Sequence, residues 1–352
     1  MIGIIVSGGL SFIFVIISTF FGVNYFKSKN IGQNIQEEVD FHDHKKGTPT
    51  MGGIFVILGT YFGYLISHIN FWTIGSGFKV LIREFNQEVF FILFLSTLMS
   101  LVGLVDDLLK VNKKRNLGLK TFSKLNLQII VSIICVLYFV SLSLNTNLNF
   151  FSGYEINISA FKWVLVVFLI VGLTNAVNFT DGLDGLVAGT SSISFASILI
   201  MTFWMFRNKT YYSNFMLDNF ISLDTSILIS SVAGSCLGFL WWNTNPAKII
   251  LGDVGSHFIG SIIALLLIAI SAEGLILFIC MVFILEAFSV VVQILSFKLR
   301  KKRIFKMAPI HHHFEMIGWA ETTIIVRFWI INGIFVIFAL GLFYADWVLF
   351  GN

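Results

Sequence analysis

FKWVLVVFLIVGLTNAVN (161–178), FTDGLDG (179–185) and LVAGTSSISFASILIMTFWMF (186–206) follow one another without a gap. The first and third stretches are apolar almost throughout. Each is close to the roughly 20 residues that carry a helix across the hydrocarbon core of a bilayer. The seven residues between them hold two aspartates, a threonine and two glycines. Neither apolar run alternates, as the strand of an outer-membrane barrel does. The stretch therefore reads as two membrane helices joined by a short turn, with the polar chemistry gathered at the span ends.

The same pattern fills the chain. Of its 352 residues 57% are hydrophobic, 12% are charged and 3 are proline, and the mean hydropathy is +0.88. A soluble domain carries about 25% charge and about 45–50% apolar residues. A soluble globular enzyme, a disordered chain and a disulfide scaffold are thereby excluded. Apolar runs fall at 2–26, 51–69, 88–105, 127–144, 161–178, 186–206, 223–242, 254–271, 275–296 and 323–345. The expected fold is an all-α polytopic membrane protein: one domain over 1–352 with about ten transmembrane helices. Cys135, Cys236 and Cys280 lie inside apolar runs with no metal-type spacing and read as small hydrophobes.

Charge orients the spans. The connecting segments on one side hold 17 Lys and Arg, and those on the other hold 4. The positive-inside rule puts the first set in the cytoplasm. Ten antiparallel spans then leave both termini external. Met1–Phe26 carries no positive charge, while Lys27 and Lys29 follow it, so this run reads as a retained span rather than a signal peptide. The net charge of +4 is modest, and no nucleic-acid partner is expected.

Five cytoplasmic segments collect the unusual polar residues. A transporter would be expected to bury ionisable groups near the midplane. Here the clearest mid-span carboxylate is Glu286, and the other acids sit at helix ends. That distribution favours an active site on the cytoplasmic face. Lys45-Lys46-Gly47-Thr48-Pro49-Thr50-Met51-Gly52-Gly53 opens a span. It reads either as a helix start capped by Thr48 or Thr50, or as a loop offering Lys and backbone N–H to phosphate. Asp106-Asp107 stands at the end of an apolar run, where the helix dipole disfavours acid. The pair suits a general base or a metal ligand. Lys110, Lys114 and Lys124 follow, able to bind anionic lipid heads or to attract an anionic substrate.

Asn178, Thr180, Asp181 and Asp184 form the densest cluster, and Asp181 and Asp184 would share a face of a helix. Asn243 opens the segment that leads to Gly252-Asp253-Val254-Gly255. There Asp253 reads either as a helix N-cap or as a ligand contact between glycines. His311-His312-His313 are consecutive, whereas a zinc site usually spaces its ligands, so hydrogen bonding to phosphate or sugar suits them better. Several carboxylates and many cations, without a Ser-His or Cys-His pair, point to Mg²⁺ and diphosphate chemistry, since Mg²⁺ favours one or two carboxylates plus substrate phosphates.

The runs TPTMGG (48–53), DD (106–107), NFTDGLDG (178–185), LGDVGS (251–256) and MAPIHHHFE (307–315) resemble the phospho-N-acetylmuramoyl-pentapeptide-transferase family. It is a branch of the polyprenyl-phosphate sugar-1-phosphate transferase superfamily, and the resemblance runs from about residue 25 to 345. It implies transfer of phospho-MurNAc-pentapeptide from UDP-MurNAc-pentapeptide to undecaprenyl phosphate, with release of UMP. It also implies Mg²⁺, a homodimer among membrane lipids, and a place in the bacterial cytoplasmic (inner) membrane. By resemblance Asp253 is the metal-ligating acid and Asp106, with Asp107 beside it, acts on the lipid phosphate. Lys45, Thr50, Asn178, Asp181, Asp184, Asn243 and His311, His312 and His313 match substrate-contacting positions, with His311 also counted as catalytic. Lys110, Lys114 and Lys124 match lysines near the diphosphate.

The family commonly has Phe-Met-Gly-Asp before the metal site, with the Phe on uracil. This chain has Ile250-Leu251-Gly252-Asp253, so an aromatic stack on the base does not carry over. Direct attack by the lipid phosphate and a covalent aspartyl-phosphate are both open, and the ionised lipid phosphate favours the first. The rival readings are a transferase acting on UDP-GlcNAc and a transporter of anionic metabolites.

Overall fold

A computed structural model describes residues 1–29, 32, 47–73, 77–113, 118–144, 146–151, 154–213 and 217–350. The helices are α1 (Ile2–Ser28), α2 (Gly53–Ile66), α3 (Gln87–Lys113), α4 (Thr121–Ser141), α5 (Phe161–Thr180), α6 (Leu186–Arg207), α7 (Lys209–Tyr212), α8 (Leu223–Asn243), α9 (Gly252–Ala269), α10 (Ile276–Ile279), α11 (Met281–Arg300), α12 (Ile310–Met316) and α13 (Glu321–Phe350). Among the described residues nine helices are long and apolar enough to cross a membrane, so the all-α polytopic fold stands.

The tenth expected span, 51–69, is α2, and it has only 14 residues. At 1.5 Å per residue it measures about 21 Å, short of a hydrocarbon core of about 30 Å. It nevertheless runs from one end of the bundle to the other. Its first residues lie on Gly255 of α9, and the turn that follows its last reaches Asp224 of α8. The expected run 275–296 is broken: Glu273–Leu275 is a single 3-10 turn, α10 is one turn long, and Cys280 separates it from α11. Two antiparallel hairpins occupy connections in which no strand was expected. β1 (Ile69–Thr73) pairs with β2 (Gly77–Ile82), and β3 (Asn147–Phe151) with β4 (Tyr154–Asn157).

The packing places α9 at the centre, where every residue from Val254 to Ala269 is buried. It lies against α3, α5 and α2, while α1 packs along α8 and α2. On α1 the outward side chains Ile5, Ile13, Phe21 and Tyr25 are exposed, as a helix facing lipid requires. Helix directions alternate, so α3, α5 and α8 end where α4, α6 and α9 begin.

At the opposite end one carboxylate gathers the chain. Asp224 of α8 accepts from Tyr64 Oη at 3.2 Å, His68 Nε2 at 3.1 Å and the Asn86 backbone N–H at 2.8 Å, and pairs with Arg83 at 3.1 Å. Nearby, Lys162 at the start of α5 pairs with Glu273 at 2.9 Å, both buried.

At the lysine-rich end two loops are stitched together by backbone. Ile250 N–H donates to Pro49 at 2.8 Å, Gly52 N–H to Ile250 at 2.9 Å and Gly53 N–H to Leu251 at 2.8 Å. The amides of Gly52 and Gly53 are spent within the fold and are not offered to phosphate. The cap is corrected too: Gly52, not Thr48 or Thr50, precedes α2, and no side chain caps it.

Candidate active site

α3 does not stop at the end of its apolar run but continues to Lys113. Asp106, Asp107 and Lys110 therefore stand on its last turns. Lys110 Nζ lies 2.7 Å from Asp106 Oδ2 one turn back, and 3.9 Å from Asp107 Oδ1. Facing them is the start of α9. Leu251 takes the N-cap position there, so Asp253 is not the cap that its sequence position suggested. Its Oδ2 accepts instead from Lys110 at 3.0 Å and from Lys124 of α4 at 2.6 Å.

The first amides of a helix have no partner within it. Here two are taken by aspartates from elsewhere in the chain, one on α3 and one just past the end of α5. Val254 N–H donates to Asp107 Oδ2 at 3.0 Å, and Gly252 N–H to Asp181 Oδ2 at 3.2 Å. Gly252 has φ +76°, a left-handed conformation that a side chain would strain. Asp106 Oδ1 is fixed by Leu119 N–H at 2.7 Å.

Asp106, Asp107 and Asp253 thus bring ligand oxygens within 4.8 Å of one another, the one such group among the described residues. Two side chains are closed off at 4% exposure, while Asp253 is open at 14%. Hard oxygen donors in this number suit Mg²⁺. Asp181 borders the group. Burial, and then the charges of Asp253 and Asp107, push its carboxyl up to about 8, so at neutral pH it is mostly protonated and adds little negative charge.

Asp181 and Asp184 do not share a helix face. α5 ends at Thr180, and Gly185 at φ +82° turns the chain before α6. Asp184 instead accepts from Ala247 N–H at 2.9 Å and lies 3.5 Å from Asn245 Nδ2, which donates to Glu321 at 2.9 Å. Asn243 is buried, and its amide joins Gly185 N–H at 3.0 Å to the Ile249 carbonyl at 2.9 Å. It holds the two loops together. Thr50 is buried beside Gly252. Asn178 lies one turn before the Asp181 loop, and its Nδ2 has no partner among the described residues. Lys45 and Lys114 lie outside the described residues.

The three histidines sit on α12 rather than in a loop, and they diverge. His311 Nδ1 meets Glu286 at 3.1 Å, His312 Nδ1 meets Glu315 at 2.7 Å, and His313 accepts from Lys306 N–H at 3.1 Å. His311 is buried against Gly182, which joins α12 to the Asp181 loop. Sequence reasoning noticed Glu286 but not its partner, and missed Gln128, His257, Asn245 and Glu321. The signal for Gln128 and His257 was their spacing: each lies four residues beyond Lys124 or Asp253.

Comparison with known proteins finds matches along almost the whole chain. A family described as Glycosyl transferase family 4 matches residues 89–271, and a phospho-N-acetylmuramoyl-pentapeptide-transferase signature matches residues 45–57. Proteins named phospho-N-acetylmuramoyl-pentapeptide-transferase are similar over almost the whole chain. That of Corynebacterium kroppenstedtii is 40% identical over 99% of both chains. That of Saccharopolyspora erythraea is 37% identical over 99% of this chain and 98% of its own. That of Cutibacterium acnes is 38% identical over 99% of both.

Proposed function

The chain belongs to the phospho-N-acetylmuramoyl-pentapeptide-transferase family, and from that premise we propose how its acidic cleft works. The protein is a multi-pass membrane transferase. It moves phospho-MurNAc-pentapeptide from UDP-MurNAc-pentapeptide to undecaprenyl phosphate, giving lipid I and UMP in the first membrane step of peptidoglycan synthesis. The observation supporting the site is the meeting of Asp106, Asp107 and Asp253 with Lys110 and Lys124 at one bundle end. Lysines and acids of this kind suit a substrate whose charge lies in a diphosphate.

In this reading Asp253 would hold Mg²⁺ with Asp106 and Asp107 beside it, and the bound ion would supply positive charge against that developing on the diphosphate. Lys110 and Lys124 add positive charge at the same place. An oxygen of the lipid phosphate attacks the β-phosphorus of the nucleotide sugar. The bond from that phosphorus to the bridging oxygen breaks, and UMP leaves with the electron pair. Asp106, held by Leu119 N–H and Lys110, completes deprotonation of the attacking phosphate. Asn178, Asp181, Asp184, Thr50 and the α12 histidines line the donor's approach. The protein works as a homodimer in the bacterial cytoplasmic membrane, with this end inside.

The test is UMP release by the purified protein from UDP-MurNAc-pentapeptide and undecaprenyl phosphate. Release is expected with Mg²⁺ and lost on chelation, and UDP-GlcNAc should not serve as donor. Equal turnover with UDP-GlcNAc, or full turnover without divalent ions, overturns the reading.

A further inference from the structure

One turn deeper into the bundle than the Lys124–Asp253 pair, the same two helices are joined again. Gln128 follows Lys124 by four residues on α4, and His257 follows Asp253 by four on α9. Gln128 Nε2 lies 2.9 Å from His257 Nε2. Both residues are fully buried. The cross-helix contact therefore repeats with the helical period: an ion pair at the rim and a neutral pair beneath it.

The hydrogen bonds fix the chemistry of the lower rung. Asn175 Nδ2 lies 2.8 Å from the Val171 carbonyl, which can only accept, so Nδ2 is the donor. The same nitrogen donates to Gln128 Oε1 at 2.8 Å. That leaves the Gln128 NH₂ facing His257, and an NH₂ can only donate. His257 Nε2 is therefore the acceptor, and its proton sits on Nδ1, where Ser256 Oγ lies 3.5 Å away. The ring is a neutral imidazole. Hydroxyls tie down the backbone on both sides: Ser132 donates to the Gln128 carbonyl at 2.8 Å, and Ser261 to that of His257 at 2.7 Å.

Polar side chains at such depth in a membrane helix are costly and mark function by default. An apolar pair would pack α4 on α9 at less cost. What it would not do is set the rotation of α9 from α4 and α5 together without adding charge below Asp253. A cation in that position would compete with a metal for the carboxylate.

We propose that Gln128, His257 and Asn175 form a neutral positioning rung that sets Asp253 against Lys124 and the α3 aspartates for divalent-cation binding. His257 touches no substrate. It acts through Asp253, as the partners behind a metal ligand do, whose loss typically lowers metal affinity about 10–100-fold. The proposal rests on the reading of the acidic group as the cation site.

The experiment is Mn²⁺ binding to the purified full-length protein, followed by electron paramagnetic resonance, with the Mg²⁺ dependence of UMP release alongside. His257→Leu removes the acceptor at 2.9 Å and leaves Gln128 Nε2 only Asn175 Oδ1 at 3.4 Å. Its Mn²⁺ Kd and its half-saturating Mg²⁺ are expected to rise about tenfold, with KM for the nucleotide sugar at saturating Mg²⁺ unchanged. His257→Gln offers a carbonyl to Gln128 and should return both to within about threefold of wild type. Wild-type Mn²⁺ affinity in His257→Leu, or no rescue by the folded His257→Gln protein, overturns the proposal. If His257→Leu does not fold, Gln128→Met carries the same expectation, and failure of both to fold makes the rung a folding element and overturns it too. Unchanged Mn²⁺ binding in Asp253→Asn instead overturns the underlying reading of the cation site.

Discussion

Asp224 at one end of the bundle and Asp253 at the other are both aspartates at the start of a long helix, in the first turns of α8 and α9. Their surroundings are opposite. Asp224 is a single carboxylate with four donors: Tyr64, His68, Arg83 and the Asn86 amide. Asp253 belongs to three carboxylates that share two described ammonium groups, Lys110 and Lys124. The first arrangement has every oxygen satisfied and no charge to spare, which is how a fold is closed. The second crowds three carboxylates onto two described lysines, at a place left partly open. Like charge held close together is costly unless a ligand arrives to use it. The contrast separates an acid that holds structure from an acid that awaits a partner.

The largest effect should come from spoiling the unsatisfied end. Asp253→Asn keeps the shape and removes the charge. Turnover in the UMP-release assay is expected to fall at least about 100-fold with thermal stability little changed. If turnover holds at ordinary Mg²⁺, the contrast fails at this position and the cation is held elsewhere. The satisfied end should respond the other way. Asp224→Asn turns an acceptor toward Arg83 and His68 into a donor. It is expected to cost about 2 kcal/mol of stability, the scale of a hydrogen bond to a charged group, read from thermal unfolding in detergent. Turnover per folded molecule should stay as it was, and a fall in turnover without a fall in stability would erase the distinction between the ends. The smallest effect concerns the base. Ile250 is 9% exposed beside the acidic group, and Ile250→Phe should tighten nucleotide-sugar binding by at most about 1 kcal/mol. Calorimetry showing equal or weaker affinity would mean that the base is held elsewhere.

Much of this was legible in the sequence, for physical reasons that differ by element. Apolar runs announce spans because lipid tolerates little else, and Asp106, Asp107 and Asp253 stood out because acids at span ends need a cause. The length of α2 was not legible. Its run of apolar residues looks like a full span, yet the helix begins only at Gly53, after Gly52 N–H has gone to Ile250, and ends at Ile66, just before β1 opens at Ile69. The parting of Asp181 from Asp184 was hidden in Gly185, whose left-handed backbone no spacing rule registers. The His257–Gln128 contact depends on how two helices 129 residues apart are rotated against each other. The divergence of the three histidines likewise needed α12 and its carboxylate partners on the page.

The backbone stitching of Pro49–Gly53 to Ile250–Leu251 also sets a clock. About 200 residues separate the two strips, and at roughly 5–20 residues per second of synthesis the second emerges some 10–40 s after the first. Through that interval the amides ahead of α2 can be met only by water at the membrane surface. The acidic cleft cannot be assembled in any nascent chain shorter than α9, however many of its spans have already been inserted. An interrupted translation product therefore lacks the assembled cleft. It holds the two α3 aspartates without the third carboxylate of the group.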